Sequence, residues 1–362
     1  MAGITADNLV PGLIAKALAR GFPAGWAHSG GDFAAWQARA RQIAECHILP
    51  DPALLDVPCG WRDDATEDRG THVAHQGAIL LQGGGEWPAL MLRPKGSGPH
   101  PAALLLHDHG SEFRIGKEKC IRPLDDAALA QAWVERFFDG VWIGDRLAAQ
   151  GFVTLCVDAL NWGARQGNGY DAQQALACNL MQLGTSPAGV MAAEDMAAAG
   201  FLAGLPQVDA ARVCAVGFSL GGFRAWQVAA LSPHIRAAVS AGWMASLPGL
   251  AVAGNNHLRG QSAYWMTHPG LHAHLDLPDL AGLAAPKPLY VEVGVQDRLF
   301  PPPAVDAAYD QLRAIWGAAD ASQELALERP DGDHAFGLAR QDAAFDWLLG
   351  RLDMGSTGVE IC

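Results

Sequence analysis

Three side chains in this sequence could do chemistry together: a serine, an aspartate and a histidine. Ser219 lies in Gly217–Phe218–Ser219–Leu220–Gly221, a G-x-S-x-G pattern at the end of the apolar run RVCAVGF (212–218) and at the start of the helical pattern GGFRAWQVAALS (221–232). A nucleophile at such a junction needs a sharp turn. Flanking glycines permit strained dihedrals and close backbone packing, and the turn lifts the hydroxyl above the sheet edge. The first N–H groups of the helix can then hold the charge that develops on an attacked carbonyl oxygen. The competing reading is a serine that only caps its helix.

A serine hydroxyl is a poor nucleophile alone; it needs a base, and the base needs an orienting group. In this kind of strand-and-helix order both should follow at later strand ends, acid first and histidine last. Asp297 closes GVQD just after LYVEV, and His334 lies in GDHAFG just after LALERP. Alone, Asp297 could cap a turn and His334 could be an idle loop histidine. Asp331 and Asp333 are too close in sequence to His334 to be first choices, and Asp306 and Asp310 read as solvated positions of the following helix. For the oxyanion, one donor is expected from the N–H of Leu220 and the other from the loop His107–Asp108–His109–Gly110–Ser111 after AALLLH (102–107), with His109 ahead of Ser111.

Further candidates are less constrained. Trp243 and Met244 follow IRAAVSAG (235–242) and could line an apolar pocket or pack a core. Of Glu112, Arg114, Lys117 and Lys119, one could meet a polar substrate group; Glu112 is retained as a pocket candidate, and most of the four are expected to be solvated. Arg224, just over a helical turn beyond Ser219, could bind a substrate carboxylate or form a structural salt bridge.

The elements that must position these residues are legible as short apolar runs: 72–81, 87–93, 102–107, 152–158, 212–218, 235–242, 288–297 and 324–334. Helical patterns separate several of them, which predicts an α/β fold with a mostly parallel sheet and helices on both faces. Residues 1–71 read as an N-terminal helical extension, with Asp32 as N-cap of DFAAWQARARQIAECHIL and an irregular polar stretch over 51–71. The catalytic domain is expected over 72–354. Long segments at 111–144, 159–191 and 243–286 read as lid or pocket insertions.

Composition narrows the partners. The chain has 362 residues, half of them hydrophobic, and a formal net charge of −13, which argues against a broad nucleic-acid surface. Seven dispersed cysteines do not form a disulfide framework, and the terminal Cys362 is not a prenylation box. No apolar run reaches membrane-spanning length and no signal core is present, so the expectation is a cytoplasmic protein without membrane contact. Chain length permits a homodimer. His107 with His109, and His272 with His274 and Asp276, invite a metal reading, but the loop chemistry is complete without one; no metal and no cofactor are expected.

On HDHG, DALNWG, GFSLGG, APKPLYVEVGVQD and GDHAF, the sequence resembles the α/β-hydrolase superfamily, and within it the dienelactone-hydrolase-like branch and its acetyl-xylan-esterase-like relatives, over roughly residues 72–350. The resemblance implies an eight-stranded, mostly parallel sheet, with Ser219 as nucleophile, His334 as base and Asp297 as its partner. Dienelactone hydrolases proper typically carry cysteine where this chain has Ser219, so the serine points toward ordinary carboxylic esters. The expected activity is hydrolysis of a small-molecule ester through an acyl-enzyme. A peptidase or amidase, an acyltransferase, a lyase or a non-catalytic binding protein on the same scaffold are the alternatives.

Overall fold

The computed structural model describes residues 4–352 apart from 168, 253, 256 and 258–261. Cys362 and the last two residues of the expected catalytic domain, 353 and 354, lie outside the described residues.

Nine strands form one sheet: β1 (Pro58–Asp68), β2 (His72–Leu81), β3 (Glu86–Pro94), β4 (His100–Leu106), β5 (Val153–Val157), β6 (Val208–Phe218), β7 (Ala237–Ala241), β8 (Leu289–Glu292) and β9 (Leu325–Glu328). Their order is β1-β2-β3-β5-β4-β6-β7-β8-β9. The first three run antiparallel to their neighbours, and the pairs from β5 through β4 to β9 are all parallel. The central strands are apolar throughout because both of their faces are covered. In β4, Ala102, Leu104 and Leu106 enter one core while Ala103 and Leu105 enter the other. In β6, Val213 and Ala215 alternate with Cys214 and Val216 in the same way.

The helices divide accordingly. α3 (Ala128–Phe138), α4 (Ile143–Ala149) and α11 (Leu338–Arg351) cover one face; α6 (Pro187–Ala203), α7 (Leu220–Leu231), α9 (Leu277–Gly282) and α10 (Pro302–Ala318) cover the other, and α5 (Tyr170–Gln182) and α8 (Leu247–Leu250) lie in the long segments after β5 and β7. Because the parallel strands end on the same side, the loops after β4, β6, β8 and β9 gather at one edge, where ligands of such sheets bind.

The sheet has one strand more than the resemblance implies. β1 lies within the stretch expected to be irregular, so the sheet begins before residue 72. It is an outer strand, laddered to β2 from Pro58 opposite Leu81 to Asp68 opposite Val73. It pairs on one side only and none of its residues is buried, so it shows no clear apolar alternation, and its run of carboxylates discourages pairing with another sheet. Ahead of it come α1 (Ala6–Arg20) and α2 (Phe33–Ile48). Asp32 caps α2 as expected, accepting the Ala35 N–H at 3.0 Å. α2 buries Trp36, Ala40, Ala44 and Ile48, spaced by four along one face. Arg41 donates to the carbonyls of Ala230 and Leu283, which ties the extension to α7 and α9.

Candidate active site

β6 ends at Phe218, and the next residue turns the chain sharply into α7. Ser219 has φ 56° and ψ −123°, a conformation that L-residues rarely adopt. The surroundings over-determine it. Its N–H donates to the Ala241 carbonyl at 2.8 Å, and its carbonyl accepts from Phe223 at 3.1 Å. A Cβ on Gly217 would lie 2.1 Å from the Gly221 carbonyl oxygen, and one on Gly221 would lie 1.8 Å from that of Leu106. Only glycine allows the turn to press this closely on itself and on the end of β4. The Ser219 side chain makes no cap hydrogen bond to its helix.

Its Oγ lies instead 2.8 Å from Nε2 of His334. The other ring nitrogen, Nδ1, lies 2.6 Å from Oδ2 of Asp297. Nδ1–H therefore donates to the carboxylate, which leaves Nε2 to accept from the serine hydroxyl. The Asp297 side chain is fully buried, and its second oxygen accepts the Leu299 N–H at 3.0 Å. The loops after β8 and β9 are bound to each other: Val295 N–H donates to Pro330 O and Gln296 N–H to Gly332 O, both at 3.0 Å. That pairing sets the carboxylate and the imidazole side by side although 37 residues separate them. The rings of Phe218 and Phe300 flank the imidazole, with centroids at 4.8 and 6.4 Å. Asp331 and Asp333 are exposed, and Asp306 and Asp310 pair with Arg329 and Arg313 on the surface.

Ser219 and His334 open into a cavity of about 310 Å³, whose lining includes Leu220, His109, Gly110 and Ser111. Among the described residues no protein acceptor takes the backbone N–H of Leu220 or of His109. The Ser111 hydroxyl lies 3.3 Å from that of Tyr170. The His109 ring packs edge-on against Trp162, and burial, aided by the Lys119 charge, pushes its pKa down to about 4. It is neutral at physiological pH.

Several expected pocket residues have other work. Arg224 does not reach the cavity. It makes a bidentate ion pair with Asp195, at 2.9 and 2.7 Å, and donates to the His107 carbonyl at 3.2 Å; both side chains are buried. Met244 is wholly buried in the core under the site, whereas its neighbour Trp243 does line the cavity. Glu112 is not among the lining residues and is taken up by Arg114. Lys117 and Lys119, expected in solvent, are buried. Lys117 pairs with Asp158 at 2.8 Å and with Glu118 at 2.5 Å; these carboxylates hold its pKa above the ordinary lysine value against the effect of burial. Lys119 sits inside the 108–119 loop, 3.5 Å from Oδ1 of Asp108, with its pKa lowered by burial. Sequence could not show this, because a lysine buried by one loop reads like a solvated one.

The sequence also missed Tyr170, Leu250, Asn255, His257, Met266 and Phe300 in the cavity wall. The first five come from the 159–191 and 243–286 segments, whose lack of period had marked them only as places where a wall could form. The 111–144 segment contributes only Ser111 to the lining and otherwise supports the loop beneath it.

Most of these histidines meet protein groups, whereas Nε2 of His109 is buried without a hydrogen-bond partner among the described residues. His107 accepts the Ala159 N–H at 3.0 Å through Nε2, and its Nδ1 donates to the Asp108 carbonyl at 2.9 Å. His272 donates to Leu275 O at 2.9 Å, His274 packs on His47, and Asp276 caps α9. Among the described residues no three His, Cys, Asp or Glu side chains group as metal ligands, and no helix is long and apolar enough to cross a membrane.

A mostly parallel sheet carrying G-x-S-x-G on a strained strand-to-helix turn defines an α/β-hydrolase. The profile of the dienelactone hydrolase family matches residues 131–344, and the chain belongs to that family of carboxylic ester hydrolases. YtaP of Bacillus subtilis (strain 168), a hydrolase by name, is 28% identical over 258 residues, 70% of this chain and 81% of its own. A Bacteroides fragilis protein whose name describes an acetyl xylan esterase superposes with a TM-score of 0.70 at 16% identity, covering 91% of this chain and 83% of the other. The glucuronoyl esterase of Solibacter usitatus does so at 0.63 and 14%, covering 87% and 91%. At these identities the structural likenesses establish the fold.

Proposed function

We propose that the protein is a serine esterase that hydrolyses small-molecule carboxylic esters through an acyl-enzyme. The observation that carries this reading is the continuous relay from Ser219 Oγ through the His334 imidazole to Asp297, with contacts of 2.8 and 2.6 Å. His334 Nε2 takes the hydroxyl proton as Ser219 attacks the ester carbonyl. The oxyanion is received by the N–H groups of Leu220 and His109. The proton passes from His334 to the departing alcohol; water, activated by the same nitrogen, then releases the acid and restores the serine. Asp297 keeps the imidazole in the required tautomer and stabilises its charged form.

The cavity, at about 310 Å³, falls at the small end of ligand pockets. Its lining combines apolar Trp243, Leu250, Met266 and Phe300 with polar Ser111, Tyr170 and Asn255. Such a mixture suits an ester of a short acyl chain with a hydroxylated alcohol. The esterase names of the structural neighbours agree with that substrate class.

Ser219→Ala tests the reading. It is expected to lower kcat on acetyl and butyryl esters by about 10⁴-fold or more, to abolish labelling by a fluorophosphonate, and to leave the melting temperature near that of the wild type. Normal turnover by the pure variant would refute the mechanism. Faster cleavage of matched amides than of esters would reassign the enzyme to the amidases.

A further inference from the structure

The three carbonyl groups that follow β4 each accept from a buried cation. Arg224 donates to His107 O at 3.2 Å, and Lys119 Nζ donates to Asp108 O at 3.2 Å and to His109 O at 3.0 Å. Trp162 Nε1 adds a further bond to His109 O at 2.8 Å. A carbonyl belongs to the same planar peptide unit as the N–H of the next residue. The carbonyl of Asp108 is thus rigidly joined to the N–H of His109, and that of His109 to the N–H of Gly110. His109 and Gly110 both line the cavity that holds Ser219.

Building on the serine-esterase reading above, we infer that Lys119 is a positioning residue for the oxyanion hole: its ammonium grips the back of two successive peptide units and so aims and polarises the N–H of His109, the donor that receives the reacting oxygen. Hydrogen bonding at one end of a peptide strengthens donation at the other. Preorganised donors matter because they need not reorient as charge develops.

The local construction suits that role better than generic loop packing. Lys119 has no solvent exposure. Its charge is balanced by Asp108 Oδ1 at 3.5 Å and by the Trp133 ring, 4.7 Å from Nζ. Trp133 in turn donates to Asp108 Oδ2 at 3.0 Å. Gly110 has φ 43°, and a Cβ there would lie 2.1 Å from the Trp133 ring. The loop is thereby clamped from below by one lysine and one tryptophan, with glycine required at the point of contact.

The experiment compares the full-length wild type with Lys119→Gln and Lys119→Met. Glutamine keeps a neutral donor on a side chain one bond shorter; methionine removes donation altogether. For each, kcat and KM are measured on p-nitrophenyl acetate, together with inhibition by phenylboronic acid, whose adduct with the serine carries the tetrahedral charge. The expected result is a kcat lowered about tenfold or more, a KM within about twofold of wild type, and boronate affinity falling in parallel with kcat, with glutamine less affected than methionine. Melting temperature reports folding; if the methionine variant does not fold, the glutamine variant decides. A folded glutamine variant with kcat and boronate affinity within about twofold of wild type would overturn the inference, as would a loss of kcat with boronate affinity unchanged. Fluorophosphonate labelling of the wild type separates the two levels. Its absence at Ser219 defeats the underlying esterase reading, whereas normal labelling with an unaffected glutamine variant defeats only the role of Lys119.

Discussion

Two polar assemblies meet at the cavity, and they are built on opposite terms. On one side, Ser219, His334 and Asp297 come from the ends of β6, β9 and β8, and the serine and the imidazole face the cavity. On the other side, beneath the loop after β4, Lys117–Asp158, Lys119–Asp108 and Arg224–Asp195 are ion pairs whose side chains are almost wholly removed from solvent. The first assembly leaves its reactive atoms open to a substrate. The second is closed, with its charges spent on one another and on backbone carbonyls. Burying a charge is tolerable only when a partner satisfies it. Closed pairs therefore fix a loop, while the open relay has the freedom that the proposed proton transfer requires.

That contrast can be broken from either side. After Ser219→Ala, the largest effect is expected for Asp297→Asn. Leu299 N–H and the imidazole can still be met by the amide, but the wrong tautomer is favoured, and kcat should fall about 10³–10⁴-fold at neutral pH with little change in melting temperature. Steady-state kinetics and thermal unfolding check this together. The reverse pattern is expected of Arg224→Met, which leaves Asp195 buried without its cation. Denaturant unfolding should show a loss of about 3–5 kcal/mol. If that variant kept its stability and lost only affinity for substrate carboxylates, Arg224 would belong to the pocket after all.

Asp276 sharpens the comparison, because it is a buried carboxyl met by the N–H groups of Leu247 and Leu277, at 2.8 and 2.7 Å, and not by a cation. Burial pushes its pKa up to about 7 from the ordinary 3.8. The folded state therefore binds its proton more tightly than the unfolded chain. The stability this confers is complete below about pH 4 and is lost as pH rises through about 7, a change on the order of 4 kcal/mol. Asp276→Asn keeps the oxygen acceptor without the titration. Unfolding free energy measured from pH 4 to 8 should fall less steeply for the variant; an unchanged slope would mean that the carboxyl is not held protonated. The smallest effect is expected from Glu112→Gln. Its pairing with the exposed Arg114 should contribute nothing measurable, so kcat, KM and melting temperature should match the wild type. A change in KM would put Glu112 back in the substrate's path.

The parts readable in the sequence were those with a local signature. Apolar runs of strand length marked the central strands because both faces are buried there. The G-x-S-x-G turn was readable because its glycines answer to distances within a few residues, and Asp297 and His334, which the structure brings beside Ser219, because they follow later strands in the expected order. β1 was not readable, since none of its residues is buried and it therefore carries neither an apolar run nor an apolar alternation. The fates of Met244, Arg224, Lys117 and Lys119 were not readable either. Trp243 and Met244 are adjacent and both apolar, yet one lines the cavity and the other lies beneath it.

By itself the sequence determined the periodicities that make strands and helices, and the one strained turn on which a serine can be presented. Both follow from steric and solvation rules that act over neighbouring residues. Only the tertiary structure decided which charges face the cavity, which are locked below it, and which side chains from distant segments close the wall. Those outcomes depend on packing between residues tens to hundreds of positions apart, where a lysine in solvent and a lysine under a loop are written with the same letter.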